Sequence, residues 1–180
     1  MARVPTPVTV VTAPPRRPNP ASQGGSGAEA KAGDGRADGA PGMPGDDALG
    51  AAPAGATANA VASLSLEPPL MLVCLDRGSR TLQAVRESGL FAVNVLGASS
   101  EDHARRFASK APHAEKWEGV AWSERAGAPV LDEAIVWIVC ELRDLLDGGD
   151  HVIVTGHVRD LGTRPGTALT FHGGEYRAVG

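Results

Sequence analysis

Residues 55–82 constrain the fold of this 180-residue chain more than any other stretch. From 55 to 66, small and hydroxylated residues alternate with alanine and leucine, which is the two-residue period of a β-strand. A Pro-Pro pair then turns the chain, and residues 70–75 are apolar throughout, as in a strand buried on both faces. Ser79 is a suitable N-cap for a helix that ends at Gly89. The stretch therefore predicts strand, turn, strand and helix in this order.

Residues 14–54 differ in composition from the rest of the chain. They contain 7 Pro, 9 Gly and 10 Ala, and only two large apolar side chains. Such a segment cannot bury enough apolar surface to offset the entropy of ordering it. We therefore predict a disordered surface insertion, with a functional tether as the alternative, inside one domain made of residues 1–13 and 55–180. Because the closure cost of a loop rises only logarithmically with its length, strands 8–13 and 55–66 should still be neighbours.

The other segments predict a mostly β fold. Strand patterns occupy 90–96, 135–142 and 151–161, and a last hairpin joins 168–172 to 175–178 across Gly173-Gly174. Residues 100–109 have the apolar stripe of a helix. Residues 111–130 have no regular period. This gives about seven strands and two short helices, mostly joined by hairpins. That count favours an antiparallel, closed or half-closed β-barrel with short helices at its rim.

Composition and charge exclude several classes of protein. The formal net charge of −4 argues against a nucleic-acid-binding face, which would be strongly basic. No apolar run reaches the roughly 20 residues of a membrane-spanning helix, and no signal peptide is recognisable at the N-terminus. Cys74 and Cys140 both lie in apolar strand patterns, so we interpret them as small buried side chains rather than as a disulfide. A reducing, cytoplasmic location is expected.

Three features suggest a binding site, and each has a structural alternative. Ser79 and Arg80 at a helix start either bind a phosphate or only cap the helix and face solvent. The alanine-rich strand at 55–66 leaves room either for a flat ligand or for tight packing within the barrel. Asn94 interrupts an apolar strand and needs hydrogen-bond partners, which are either neighbouring backbone groups or a ligand. The residues alone leave these alternatives open.

Other kinds of site lack the required patterns. The five histidines do not have the paired spacing of a zinc site, so no metal is expected. No Gly-x-Ser-x-Gly turn indicates a hydrolase, and no Gly-x-Gly-x-x-Gly motif follows a strand, as a Rossmann site would require.

Six segments in collinear order resemble the flavin reductase-like family, whose fold is the FMN-binding split barrel, an antiparallel, Greek-key-like β-barrel. The segments are VTVVT, GATANAVASLSLEPPLMLVCLDRGSRTL, LFAVNVL, ARRFASK, GDHVIVTGHV and FHGGEYR. The pattern is most similar to the reductase components of two-component flavin-dependent monooxygenases. Val61 departs from it, since the family usually has an aromatic residue there, and the insertion at 14–54 has no recognised counterpart.

The resemblance implies a set of cofactor-binding residues. Most would contact the isoalloxazine or the phosphate of FMN or FAD, and His151 would lie near the nicotinamide of NAD(P)H as the one residue with a catalytic role. The implied positions are Ala56, Thr57, Ala58, Asn59, Ala60, Ser63, Cys74, Leu75, Asp76, Ser79, Arg80, Thr81, Asn94, Val95, Phe107, Ser109, His151 and Tyr176. Among them, Asn94 and Val95 are expected at a strand edge near the flavin. For His151, a hydrogen bond to the 148–150 turn is the structural alternative.

The function implied by the resemblance is an NAD(P)H:flavin oxidoreductase. Such an enzyme reduces FMN or FAD by hydride transfer and supplies the reduced flavin to a partner monooxygenase, and the family implies a homodimer. A protein that holds FMN on the same barrel without reductase activity is one alternative. A scaffold that binds no flavin is the other.

Overall fold

The structure is a computed structural model that describes residues 4–15 and 52–179. Within these residues it has twelve strands and three helices. The strands are β1 (Thr6–Pro7), β2 (Thr9–Ala13), β3 (Ala54–Ala58), β4 (Val61–Leu66), β5 (Pro69–Asp76), β6 (Leu90–Leu96), β7 (Trp122–Arg125), β8 (Ala128–Leu131), β9 (Ala134–Gly148), β10 (His151–Thr163), β11 (Ala168–His172) and β12 (Glu175–Val179). The helices are α1 (Arg80–Ser88), α2 (Glu101–Ala108) and α3 (His113–Trp117).

The main sheet has seven antiparallel strands in the order β3-β2-β6-β9-β10-β5-β4. Its two edge strands, β3 and β4, follow each other in the chain and are separated only by Asn59 and Ala60. Because so short a connection must join opposite edges of the sheet, the sheet has to curl round on itself. The two edges do not pair, so the barrel stays split between them. The predicted mostly β, antiparallel barrel is confirmed.

Two smaller sheets complete the described part of the chain. Strands β1, β11 and β12 form one in the order β1-β11-β12, and β7 pairs with β8 in the other. The first is tied to the barrel because the amide of Val8, between β1 and β2, donates to the carbonyl of Leu169, 2.9 Å away. This contact fixes the β11–β12 hairpin relative to the barrel.

Two apolar clusters form most of the core. One fills the barrel and includes Val73, Leu82 and Phe91, none of them accessible to solvent. The other packs α2 and α3 against β2, with Phe107 and Trp117 in edge-to-face contact at 5.1 Å between ring centroids. The helices are therefore held by burial of their apolar faces, which stabilises short helices more than their intrinsic propensity does.

Several predicted elements are confirmed closely. Strand β6 has the predicted bounds, and β2 pairs with β3 as expected for the strands on either side of the insertion. Helix α1 has Ser79 as N-cap, whose side-chain oxygen accepts a hydrogen bond from the Thr81 amide at 3.2 Å. Gly89 ends the helix at φ = 71°, a left-handed conformation that favours glycine.

Other predictions were wrong in their bounds. The single strand predicted for 55–66 is two strands, since the chain breaks at Asn59 and Ala60. The segment 111–130, predicted to be irregular, contains α3, β7 and the first part of β8. The insertion predicted for 14–54 ends too late, because Ala54 is a buried residue of β3 that pairs with Ala13. The disorder predicted for the rest of this segment falls largely on 16–51, which lies outside the described residues.

Both cysteines are free thiols, as predicted. Cys140 is completely buried, and this burial raises the pKa of its thiol to about 12. Cys74 is only half-buried, which differs from the expectation for it. In the described ranges, no helix combines the length and the apolar character needed to cross a membrane.

The pairing of Ala13 with Ala54 leads to a prediction about the segment between them. We expect that replacing residues 16–51 by a four-residue Gly-Ser linker leaves the barrel folded, since the two strand ends already lie side by side. The loop between Ala13 and Ala54 shortens from 40 residues to 8, which should raise the free energy of unfolding by roughly 1.4 kcal/mol. Chemical denaturation would measure this, with a scrambled segment of unchanged length as control. Lower stability of the shortened chain would contradict the prediction.

Candidate active site

One open cavity of about 450 Å³ lies beside the split between β3 and β4. Its walls come from the β3–β4 connection, the end of β5, the start of α1, the end of α2, the start of β10 and the β11–β12 hairpin. The lining residues are Ala56, Thr57, Ala58, Asn59, Ala60, Cys74, Leu75, Asp76, Ser79, Ala108, His151, Phe171 and Tyr176. The volume is in the usual range of small-molecule sites.

Small side chains form one wall of the cavity, which we call the floor: Ala56, Thr57, Ala58, Asn59 and Ala60. With three alanines among its five residues, the floor leaves its backbone accessible to a flat ligand. It is also anchored from behind, because Thr57 Oγ1 donates to the carbonyl of Ala104 in α2 at 2.6 Å. The floor is therefore a fixed surface with little bulk.

Gly55 lets α2 approach the floor. A Cβ atom at this position would lie 2.6 Å from the ring of Phe107, which is closer than real Cβ contacts come. Phe107 is buried beneath β3 and does not line the cavity, although the resemblance implied that it contacts the cofactor. Its role in the structure is to seat α2, so that the next residue, Ala108, lies in the wall.

The turn before α1 brings that helix to the cavity. Asp76 Oδ1 accepts from the Gly78 amide at 2.7 Å, and the Ser79 amide donates to the Asp76 carbonyl at 3.0 Å. These two contacts place Ser79 in the lining at the N-terminus of α1. A helix N-terminus carries partial positive charge and unpaired amides, which favour an anion such as phosphate.

Arg80 is at the expected helix start but is not among the lining residues. Its guanidinium donates to the carbonyl of Ala111 at 2.7 Å and lies 3.5 Å from that of Lys110. Arg80 therefore links α1 to the α2–α3 connection. The alternative predicted for Arg80, a guanidinium that faces only solvent, is therefore wrong.

His151 lies in the cavity wall at the start of β10, opposite Asp76 of β5 in the strand register. Its side chain is 44% exposed, and its Nδ1 is 2.8 Å from Asp150 Oδ1. This hydrogen bond lowers the pKa of the Asp150 carboxyl from its ordinary value. His151 therefore has both the predicted position in the cavity wall and the predicted contact with the turn. The two are compatible because the contact with Asp150 uses only Nδ1 of the ring.

Two aromatic side chains stand in the wall contributed by the last hairpin. Phe171 and Tyr176 are register partners and pack edge to face, with 5.2 Å between ring centroids. The guanidinium of Arg105 lies 4.9 Å from the centre of the Tyr176 ring, a cation–π contact that ties the hairpin to α2. Of this pair, only Tyr176 was implied by the resemblance. The predicted hairpin across Gly173-Gly174 already placed Phe171 opposite it, which is the signal that could have found it.

Three further predicted residues lie outside the cavity. Ser63 is exposed on the edge strand β4, and Thr81 is buried on the inner face of α1. Ser109 follows α2, where its hydroxyl donates to the carbonyl of Arg106 at 2.7 Å. Thr81 and Ser109 thus contribute to packing or to local hydrogen bonding, Ser63 lies on the surface, and none of the three lines the cavity.

Asn94 and Val95 were expected at a strand edge, and this is wrong. Both lie in β6, which is an inner strand paired with β2 on one side and β9 on the other. The Asn94 amide is completely buried. It donates to the carbonyl of Val10 at 3.0 Å and to Thr12 Oγ1 at 3.1 Å, and it accepts from the Leu131 amide at 2.9 Å. The structural alternative therefore holds for Asn94: it joins β2, β6 and β8.

Comparison with known proteins agrees with this architecture. The family model described as "Flavin reductase like domain" matches residues 1–180. The reductase subunit HsaB of a flavin-dependent monooxygenase from Mycobacterium tuberculosis is 38% identical over 131 residues, covering 71% of this chain and 69% of that protein. An NADH-dependent FAD reductase from Streptomyces globisporus is 37% identical over 133 residues, covering 71% of this chain and 73% of that protein.

Solved structures give the same result for the fold. The Streptomyces globisporus C-1027 NADH:FAD oxidoreductase SgcE6 superposes with a TM-score of 0.74 at 31% identity, covering 99% of this chain and 88% of that one. BorF, the flavin reductase component of a bacterial two-component tryptophan halogenase, gives 0.73 at 28% identity, covering 99% of this chain and 92% of that one. With its split barrel, its lining and a family match along its whole length, this chain belongs to the flavin reductase-like family.

Proposed function

We propose that this protein is a flavin reductase that uses NADH to reduce FMN or FAD and supplies the reduced flavin to a separate monooxygenase. The observation that carries the proposal is the composition of the cavity. Of the thirteen residues that line it, all but Ala108 and Phe171 are positions that the family resemblance implied. The names of the relatives support NADH as the hydride donor and a monooxygenase or halogenase as the consumer.

The residues present fit a flavin. A floor of small side chains allows a planar ring to lie against the β3–β4 backbone, where amides and carbonyls can meet its polar edge. At one end, Ser79 and the N-terminus of α1 suit a phosphate. Phe171 and Tyr176 provide an aromatic wall, and their rings can cover an aromatic ligand. The cavity thus has a flat wall, an anion-binding end and an aromatic wall.

The reaction asks little acid–base chemistry of the protein. When bound, the two cofactors would supply the redox chemistry, with the nicotinamide as hydride donor and the flavin as hydride acceptor. The residues of this chain hold the two rings in a reactive orientation and exclude other orientations. This effect can contribute a large part of the rate enhancement. His151, whose second ring nitrogen is not engaged by Asp150, can donate to the nicotinamide amide.

We also propose a homodimer. Leu64 and Leu66 of the edge strand β4 are 49% and 90% exposed, and Leu145 and Leu146 of β9 are 37% and 52% exposed. Leu64 and Leu66 lie on a sheet edge that pairs with no further strand, and exposed apolar side chains favour association with a second chain. Light scattering should give about twice the 18.4 kDa of one chain. A monomer at micromolar concentration would contradict this.

A cytoplasmic location is part of the same proposal. The free thiols of Cys74 and Cys140 are consistent with a reducing compartment. Fractionation of the source cells tests it, and recovery of the protein outside the cytoplasmic fraction would contradict it.

Oxidation of NADH in the presence of free flavin tests the proposed activity. Wild-type protein should oxidise NADH at 340 nm with FMN or FAD in excess over enzyme, with NADPH compared in parallel. A protein that binds FMN tightly but does not turn over would instead be a flavin-binding protein. A melting temperature that no flavin changes would indicate a scaffold that binds none.

The substitution Ala60→Phe tests whether the cavity is the flavin site. Ala60 is exposed and lines the floor, so the added ring should occupy the cavity without disturbing the core. We expect the Kd for FMN to rise at least tenfold, which corresponds to about 1.4 kcal/mol. Ala121→Phe, at an exposed alanine outside the lining, is the matched control. Unchanged affinity in Ala60→Phe would place the flavin elsewhere.

The substitution His151→Ala should affect NADH more than flavin. If His151 donates one hydrogen bond to the nicotinamide, its loss should raise KM for NADH about fivefold, as expected for about 1 kcal/mol. The Kd for FMN should change less than twofold. His172→Ala, at a half-buried histidine outside the lining, is the control. Steady-state kinetics and fluorescence titration measure both quantities, and an unaltered KM would remove this role from His151.

A further inference from the structure

Lys116 is a buried cation in α3 for which the described part of the chain provides no carboxylate partner. The residue is only 5% exposed. Its ammonium donates to two backbone carbonyls, of Phe107 at 3.2 Å and of Gly55 at 3.4 Å. Hydrogen bonds from N–H groups to oxygen are roughly 2.7–3.2 Å long, so these two, at and beyond the upper end of that range, are weak. One of its three N–H groups has no acceptor among the described residues.

A buried charge of this kind is costly unless another group compensates it. Burial lowers the pKa of Lys116, and the nearby guanidinium of Arg80 lowers it further. Both effects indicate that the ammonium is poorly compensated by the protein itself. An anionic ligand close to it would reduce this cost.

Lys116 stands directly behind the cavity. The two carbonyls that it contacts belong to the residues that precede Ala56 in the floor and Ala108 in the α2 wall. Its ammonium therefore lies where floor and wall meet, although the side chain is not itself part of the lining.

The same end of the cavity has a second cation and a helix N-terminus. Arg80 donates to the carbonyl of Ala111, in the connection between α2 and α3, and it follows Ser79, which lines the cavity at the start of α1. Positive charge from α1 and α3 thus converges on one end of the cavity, and the carboxylate in the lining, Asp76, is engaged by the Gly78 amide.

We propose that Lys116 is a positioning residue that supplies buried positive charge to the phosphate end of the flavin site and so makes the site prefer phosphorylated flavins over riboflavin. The proposal rests on the proposed function. FMN and riboflavin share the isoalloxazine and the ribityl chain and differ in the phosphate, which carries close to two negative charges at neutral pH. A charge that acts on the phosphate changes the affinity for FMN and leaves that for riboflavin unaltered. A residue that only clamps the floor to the wall changes both affinities equally.

The test compares FMN with riboflavin in two variants of the full-length protein. Lys116→Met removes the charge at similar length, and Lys116→Gln removes it but keeps N–H donors for the two carbonyls, so that it guards against loss of the fold. We expect the Kd for FMN to rise at least tenfold in both variants while the Kd for riboflavin changes less than twofold. Arg86→Gln, which removes an exposed cation from the last turn of α1, is the control for net charge and should change neither value.

Each outcome separates this inference from the proposed function. Fluorescence titration gives both Kd values, and the melting temperature confirms that each variant is folded. An equal rise for FMN and riboflavin, or no rise for either, overturns the role of Lys116 while wild-type NADH oxidation still supports the reductase. Wild-type protein that neither binds flavin nor oxidises NADH overturns the proposed function itself.

Discussion

The two-residue connection between β3 and β4 is the constraint on which the rest of the structure depends. Asn59 and Ala60 join strands at opposite edges of a seven-stranded sheet, so the sheet must close on itself. The edges do not pair with each other, and one backbone contact from the Cys74 amide to the Ala60 carbonyl, 2.9 Å long, bridges the region. A barrel closed in this way keeps an accessible stretch of backbone at its split. The cavity lies there, which is why the closure of the barrel and the formation of the site have the same cause.

The cavity walls are held by contacts that the chain makes behind them. Thr57 binds α2 from the floor, and Arg105 binds Tyr176 from α2, so one short helix connects the floor to the aromatic wall. Such contacts fix the distance between the walls before any ligand arrives. Binding loses less conformational entropy when the site is already ordered. This arrangement therefore suits an enzyme that accelerates its reaction mainly by orienting flavin and NADH relative to each other.

Local patterns were sufficient for much of the fold but not for the bounds of every element. The caps Ser79 and Gly89 and the strand β6 are set by residues within one segment, and the sequence predicts them. The break at Asn59 is different. Small residues alternate without interruption through 55–66, and only the pairing of β3 with β2 and of β4 with β5 divides the stretch into two strands. Asn94 is a similar case: its three hydrogen bonds come from β2 and β8, far away in sequence, so its polarity indicated a buried amide without saying what satisfies it.

Gly55, Phe107 and Lys116 show what sequence patterns could not provide for the site. Because Gly55 has no Cβ, the Phe107 ring can lie against β3, and this contact brings the carbonyls of both residues to the same ammonium. Each residue taken alone has an ordinary interpretation: a strand glycine, a core aromatic and a surface lysine. The contact that joins the three spans 61 positions of the chain. A site assembled from such distant residues can be identified only from the three-dimensional structure, whereas the motif at residues 55–82 can be recognised from its own sequence.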